Sequence, residues 1–311
     1  MSIQAESGVP TQVTAPGSGF DLEAIPYERL GRPITGPRAI TGSWRRFCYL
    51  TVYIAMVNWK LRFFGSALGY LWQLIRPLLL FLVLYVFFTK VAHVGNPAAP
   101  SEQFYGAQLL SAIVLFTFFS EATMNSVRCV VDGEVMVRKI QFPRLVIPLS
   151  CVLLALFNLS LNMIVVVIFA LIAGVRPMLT WLELPLVIGL LVVLATGLAM
   201  LLSALFVYLR DVQPIWEVLL QVVFYASGIM IPIDEVQAHL SPSLLHLYMM
   251  NPLAAIFQQF KHVFITHRSP SAGALLGSAR LLVIPVGITF LIFVLGLYVF
   301  NRIAPKVAED L

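Results

Sequence analysis

Between residues 71 and 300 the chain is a succession of long apolar blocks parted by short polar intervals. The blocks lie at about 72–92, 107–128, 146–173, 183–207, 213–232 and 277–300. Each is close to the ~20 residues that an α-helix needs to cross a bilayer. In hydrocarbon every backbone N–H and C=O must find its partner inside the protein, which selects helices or a closed barrel. A barrel would show segments of roughly ten alternating residues, whereas these runs are unbroken. The pattern therefore predicts an all-α integral membrane protein with six transmembrane helices.

Two further apolar regions do not read as spans. Residues 44–65 carry Trp44, Arg45 and Arg46 at one end and Trp59, Lys60, Arg62 and Phe63 at the other. Rings interleaved with cations favour a helix lying in the headgroup layer. A domain of residues 44–70 is expected there, with a seventh span as the alternative. Residues 233–275 are broken by Pro242, Asn251-Pro252 and Ser269-Pro270. Prolines start and stop helices, so two short outer re-entrant helices are expected at roughly 241–250 and 252–265. A plain outer loop is the alternative. The first 43 residues, rich in Gly, Pro, Ser and Thr, have no apolar periodicity and are expected to be a disordered cytosolic tail. They lack the basic start and short apolar core of a secretory signal, so the first true span should direct insertion of residues 71–311.

Composition supports the membrane reading. Hydrophobic residues make up 59% of the 311 and charged residues 11%, with a mean hydropathy of +0.90. Soluble domains carry roughly 25% charged residues. The net charge of +5 reflects topology more than any nucleic-acid face. With both termini in the cytosol, only Lys90, Arg176, Lys261, Arg268 and Arg280 of the 20 Lys and Arg fall outside, as the positive-inside bias requires. Cys48, Cys129 and Cys151 fall in no expected outer loop and lack metal-ligand spacing. All five histidines lie on the expected outer side, also without ligand spacing. No metal site is expected.

Four stretches carry a resemblance. Asn58-Trp59-Lys60-Leu61-Arg62-Phe63-Phe64-Gly65-Ser66-Ala67-Leu68-Gly69-Tyr70-Leu71-Trp72 leads to Pro77. Arg138-Lys139-Ile140-Gln141-Phe142-Pro143-Arg144 precedes Pro148, Arg210-Asp211-Val212 joins spans four and five, and Asn251-Pro252 opens the second outer helix. In this order the stretches resemble ABC-2 type permeases of the polysaccharide and teichoic acid export group (Wzm/TagG-like). The likeness covers most of residues 50–300 and leaves out the tail.

The chain contains no Gly-x4-Gly-Lys-Ser/Thr string, the loop that cradles nucleotide phosphates. The resemblance implies that a homodimer of this chain works with two ATPase subunits, which bind the ATP and Mg. This chain would then be a permease, with no catalytic residue and no cofactor of its own. The cargo implied is a lipid-linked polysaccharide, moved from the cytosol to the outer side of the plasma (inner) membrane among membrane lipids. No nucleic acid is implied.

Residues 133–139 look like a short coupling helix. Glu134, Arg138, Lys139, Phe142, Arg144, Arg210 and Asp211 are the candidates for contact with the ATPase, or form a plain positive-inside loop. Asp211 also suits the N-cap of span five, with Pro214 in its first turn. Trp59, Lys60, Arg62, Trp72 and Arg76 mark the cytosolic side where cargo would enter. Charged groups within spans are costly and invite a functional reading. Glu121 either lines the pathway or pairs with a neighbouring helix, and Glu217 is a partner for Arg76 or Arg210. Asn158 and Asn162, at i,i+4, suit helix–helix hydrogen bonding. Phe116, Phe119, Trp216, Phe224 and Tyr225 are channel-lining candidates, since sugar faces stack on rings; lipid-facing packing is the alternative for any one of them.

Three alternatives compete with this function. An ABC-2 exporter of a drug or simple lipid would look alike. A secondary transporter would show inverted repeats and intramembrane carboxylates. A membrane glycosyltransferase would carry acidic clusters, for which Asp132 and Glu134 are a poor match beside so many cations.

Overall fold

The computed structural model describes residues 44–63, 69–91, 93, 104–133, 143–233, 236–237, 241–265 and 269–303, all within the unit Pro37–Leu311. Among them there are helices and no strand. In chain order these are α1 (Trp44–Phe63), α2 (Gly69–Lys90), α3 (Tyr105–Val127), α4 (Cys129–Asp132), α5 (Val146–Ile172), α6 (Leu184–Tyr208), α7 (Val212–Ala226), α8 (Pro242–Met249), α9 (Pro252–Phe264), α10 (Ala272–Leu275) and α11 (Val283–Ile303). Short 3-10 turns at Leu179–Glu183 and Ala279–Leu282 lead into α6 and α11.

Among the described residues, five helical segments are long and apolar enough to cross a membrane: Leu71–Lys90, Tyr105–Val127, Val146–Ile172, Leu179–Tyr208 and Arg280–Ile303. They coincide with five of the six expected spans. The last begins later than expected because Gly277, at φ +77°, breaks the chain first. The fifth expected span, 213–232, is shorter than the pattern suggested. Its helix, α7, has 15 residues, about 22 Å at 1.5 Å per residue, against roughly 30 Å of hydrocarbon. The cause is local. Ser227 turns its hydroxyl back to the Val223 carbonyl (2.7 Å), and Gly228 takes φ +65°. The carbonyls freed by the break are met from other helices. Lys261 Nζ donates to Gly228 O (2.8 Å) and the Tyr105 hydroxyl to Met230 O (2.7 Å).

Helix α3 is the centre of the bundle. It packs on α2, α5, α6 and α7, and most of its side chains, from Tyr105 to Val127, are buried. Helix α11 instead packs chiefly along α6, where two glycines meet. A Cβ on Gly197 would stand 2.6 Å from the Phe293 Cα, and one on Gly296 would run into the Gly197 carbonyl. Small residues let helix backbones approach where no water is available to drive them together.

Helix α1 does not qualify as a span. It lies against α5 and carries a stripe of three buried residues at four-residue spacing, Phe47, Thr51 and Ala55, while Lys60, Leu61 and Arg62 are exposed. Helices α8 and α9 match the two expected outer helices. Asn251 caps α9 by accepting from Leu253 N (3.0 Å), with Pro252 in the first position. Far from being a solvated loop, α9 is buried along most of its length. Its terminal carbonyls are met by Thr180 Oγ1 (to Val263 O, 3.1 Å) and Trp181 Nε1 (to Phe264 O, 3.0 Å). Lys261, expected as an outer-loop charge, is buried in this helix.

Candidate functional site

The carboxylate of Glu121 on α3 ties four helices together. Its Oε1 accepts from Gln73 Nε2 of α2 (3.0 Å) and faces Arg62 Nη2 of α1 (3.6 Å). Its Oε2 accepts from Asn158 Nδ2 of α5 (2.9 Å). Asn158 is itself shared: its Oδ1 accepts from Trp59 Nε1 of α1 (3.1 Å), and its backbone carbonyl accepts from Asn162 Nδ2 (3.0 Å). Asn158 is 1% exposed and the Glu121 side chain 13%. A carboxylate withdrawn from water needs a countercharge and donors for its lone pairs, and both oxygens of Glu121 have them. Helix α1 is therefore held to the bundle by Trp59 and Arg62, two of the residues expected at the cytosolic mouth.

Beside this cluster, α2, α3 and α7 enclose a groove of about 470 Å³. Arg76 and Leu80 line it from α2, Phe116, Ser120 and Glu121 from α3, and Glu217, Gln221, Phe224 and Tyr225 from α7. Four of the six channel candidates thus share one wall system. Phe116 and Phe224 meet edge-on, centroids 5.0 Å apart, and Tyr225 stands across Phe224 at 5.5 Å. Aromatic faces beside charged edges suit a ligand that is apolar on its ring faces and hydroxylated at its rim.

The other two candidates stand behind that wall. Phe119 is 1% exposed and packs toward Trp216, centroids 6.5 Å apart. Trp216 is half-buried and donates from Nε1 to Thr123 Oγ1 (3.0 Å). Their rings fill the α3–α7 seam because both fall on the face of their helix that meets the other. Glu217 and Arg76 share the groove, yet among the described residues no ion pair joins Glu217 to Arg76 or Arg210. Trp72 and Lys60 are exposed.

On the side carrying the loops between α3 and α5 and between α6 and α7, Glu134, Arg138, Lys139 and Phe142 lie outside the described residues. Arg144 is buried, and its Nη1 has no partner among the described residues. Burial lowers its pKa. Arg210 and Asp211 are exposed in the turn before α7. Asp211 occupies the N-cap position, but its side chain makes no capping hydrogen bond. Its backbone carbonyl alone serves the helix, accepting from Ile215 N (3.2 Å). Among the described residues no group of acids, histidines and cysteines could hold a metal ion.

Gln73 is the member of the polar cluster that sequence reasoning passed over. Its signal was an amide inside a largely apolar helix, which needs a partner in lipid for the same reason as Glu121.

Residues 49–265 match the family described as ABC-2 type transporter. The chain is 26% identical over 263 residues to an O-antigen export system permease protein RfbA of Klebsiella pneumoniae, covering 84% of this chain and 95% of that protein. It is 27% identical over 237 residues to a protein of the same description from Myxococcus xanthus, covering 76% and 87%.

Proposed function

Since the chain belongs to the ABC-2 type transporter family, we propose that it is the membrane half of an ATP-driven exporter. Its cargo is a lipid-linked polysaccharide, taken from the cytosolic face of the inner membrane to the outer side. Two relatives that align over most of their length are O-antigen export permeases, which favours a glycan over a drug or a simple lipid. In this reading two copies of the chain pair with two ATPase subunits, which hold ATP and Mg. Both termini face the cytosol, residues 1–43 form a tail, 44–70 the interfacial segment and 71–311 the transmembrane domain.

One observation supports this reading most directly. The groove beside α7 combines three rings, Phe116, Phe224 and Tyr225, with Arg76, Glu121 and Glu217. It lies next to the point where α1 is pinned to the bundle through Arg62 and Trp59. A glycan can pass its apolar ring faces over the aromatics and its hydroxyls over the charged rim. Release of α1 from Glu121 and Asn158 would open the groove toward the inner leaflet. The ATPase pushes on the loops holding Glu134, Arg138, Lys139, Phe142 and Arg144 and the turn holding Arg210 and Asp211. Glu121 itself is committed to Arg62, Gln73 and Asn158, which speaks against a carboxylate free to carry a coupling proton.

The test is to purify the full-length chain with the ATPase encoded beside it, reconstitute both, and identify the retained lipid by mass spectrometry. A polyprenyl-linked glycan, and transport that requires ATP, are expected. Uphill transport by the chain alone in an ion gradient would sink the reading.

A further inference from the structure

A second groove, of about 550 Å³, opens between α6, α9 and α11. Its volume is within the ~300–1,000 Å³ typical of small-molecule sites. The walls are apolar: Leu190 and Val193 of α6, Ile256 of α9, Val286 and Phe290 of α11. Glu183, exposed at the start of α6, marks one end, and Val193 lies ten residues further along the same helix. At 1.5 Å per residue that is about 15 Å, half of the ~30 Å hydrocarbon layer. The groove therefore runs the depth of one leaflet.

Its polar groups are few and placed at one end or one wall. Glu183 offers a carboxylate at the rim. Arg280, exposed, stands two residues before the lining residue Leu282 in the 3-10 turn that leads into α11. The Gln259 amide lines the α9 wall, and its Oε1, buried, has no hydrogen-bond partner among the described residues. A carboxylate at the rim and, on another element, an exposed guanidinium two residues along the chain from the lining residue Leu282 complement a headgroup that carries both an ammonium and a phosphate.

We propose that this groove takes one acyl chain of a phospholipid with a zwitterionic, primary-amine headgroup, the chain lying between α6, α9 and α11, the ammonium at Glu183 and the phosphate at Arg280. The lipid completes the packing of α9, a helix too short to span the membrane. Its leaflet, the outer one, follows from the proposed orientation; its binding does not depend on what the protein exports.

Gly189 makes the site testable. It lines the groove, and a Cβ there would have nothing within 4 Å. Gly189→Leu therefore starts its side chain in open space, extends it into the slot and improves helix propensity. The full-length chain would be reconstituted in vesicles of equal phosphatidylethanolamine and phosphatidylglycerol, extracted in mild detergent, and weighed by native mass spectrometry. One retained phosphatidylethanolamine per chain is expected, preferred about tenfold, the equivalent of ~1.4 kcal/mol. Glu183→Gln should lower the preference about threefold, as fits an exposed ion pair. Gly189→Leu should abolish retention while thermal unfolding stays unchanged or rises. Val286→Phe narrows the opposite wall and should act alike if the glycine variant does not fold. Undiminished retention in both filled variants, or equal retention of the two lipids by the wild type, overturns the proposal. Loss of ATP-driven export activity would not by itself change either readout, so the two proposals fail separately.

Discussion

Glu121 shows how one side chain can decide the packing of several helices. It is the meeting point of Arg62, Gln73 and Asn158, and each of those groups sits on a different helix. Removing the carboxylate leaves Arg62 without its countercharge and two amides without an acceptor. A buried unsatisfied group costs about 1–3 kcal/mol, so Glu121→Leu should lower the melting temperature of the purified chain by several degrees. Glu121→Gln keeps the shape and should cost less. An Arg62→Ala and Glu121→Leu double-mutant cycle should show coupling, because residues in one network are not additive; additive losses would mean that the 3.6 Å pair contributes nothing. The groove rings belong to the same scale. Phe224→Ala is expected to reduce glycan export with normal membrane insertion, measured as surface polysaccharide per copy of protein. The buried Phe119→Ala should instead destabilise the fold, by about 3–5 kcal/mol. Sequence spacing placed Phe116 and Phe119 on one helix; only the packing of α7 separated the groove-lining ring from the core ring.

At the scale of elements, the end of α7 is the most informative feature. The helix stops because Ser227 and Gly228 turn the chain, and the turn is tolerable in lipid because Lys261 and Tyr105 supply donors. Gly228 has φ +65°, and a Cβ there would collide with the Tyr248 hydroxyl. Gly228→Ala should therefore destabilise the protein by more than about 1 kcal/mol, visible as a lower unfolding temperature in detergent. Tyr248→Phe in the same background should recover the steric part and leave the backbone strain. The α6–α11 seam gives a second test. Gly197→Leu must push α11 off α6, since the Phe293 backbone stands where the side chain would begin. Overpacking costs typically 1–3 kcal/mol, and here the loss should also appear as aggregation on extraction. Neither Gly228 nor the Gly197–Gly296 pair announces itself in the hydropathy pattern, which is blind to backbone approach.

For the whole molecule, the proposed orientation has α8 and α9 facing outward and the α6–α7 turn inward. In a background lacking Cys48, Cys129 and Cys151, a cysteine at Leu247, exposed on α8, should react with an impermeant maleimide in intact spheroplasts. A cysteine at Leu209, exposed in the α6–α7 turn, should react only after permeabilisation. The reverse pattern would invert the topology and with it the proposed direction of transport.

Hydropathy alone determined that this chain lives in a bilayer, where most of its helices run, and that residues 44–65 and 233–275 follow other rules. It could do so because the cost of placing charge or unpaired backbone in hydrocarbon is large and is set by residue type, whatever the neighbours. The order of four short motifs was enough to indicate the family. Three-dimensional packing decided the rest: that Glu121 is anchored to α1, α2 and α5, that Lys261 and Tyr105 reach the carbonyls beyond α7, and that Lys261 is buried. Those outcomes depend on which faces of distant helices meet, and a linear pattern carries no record of that meeting.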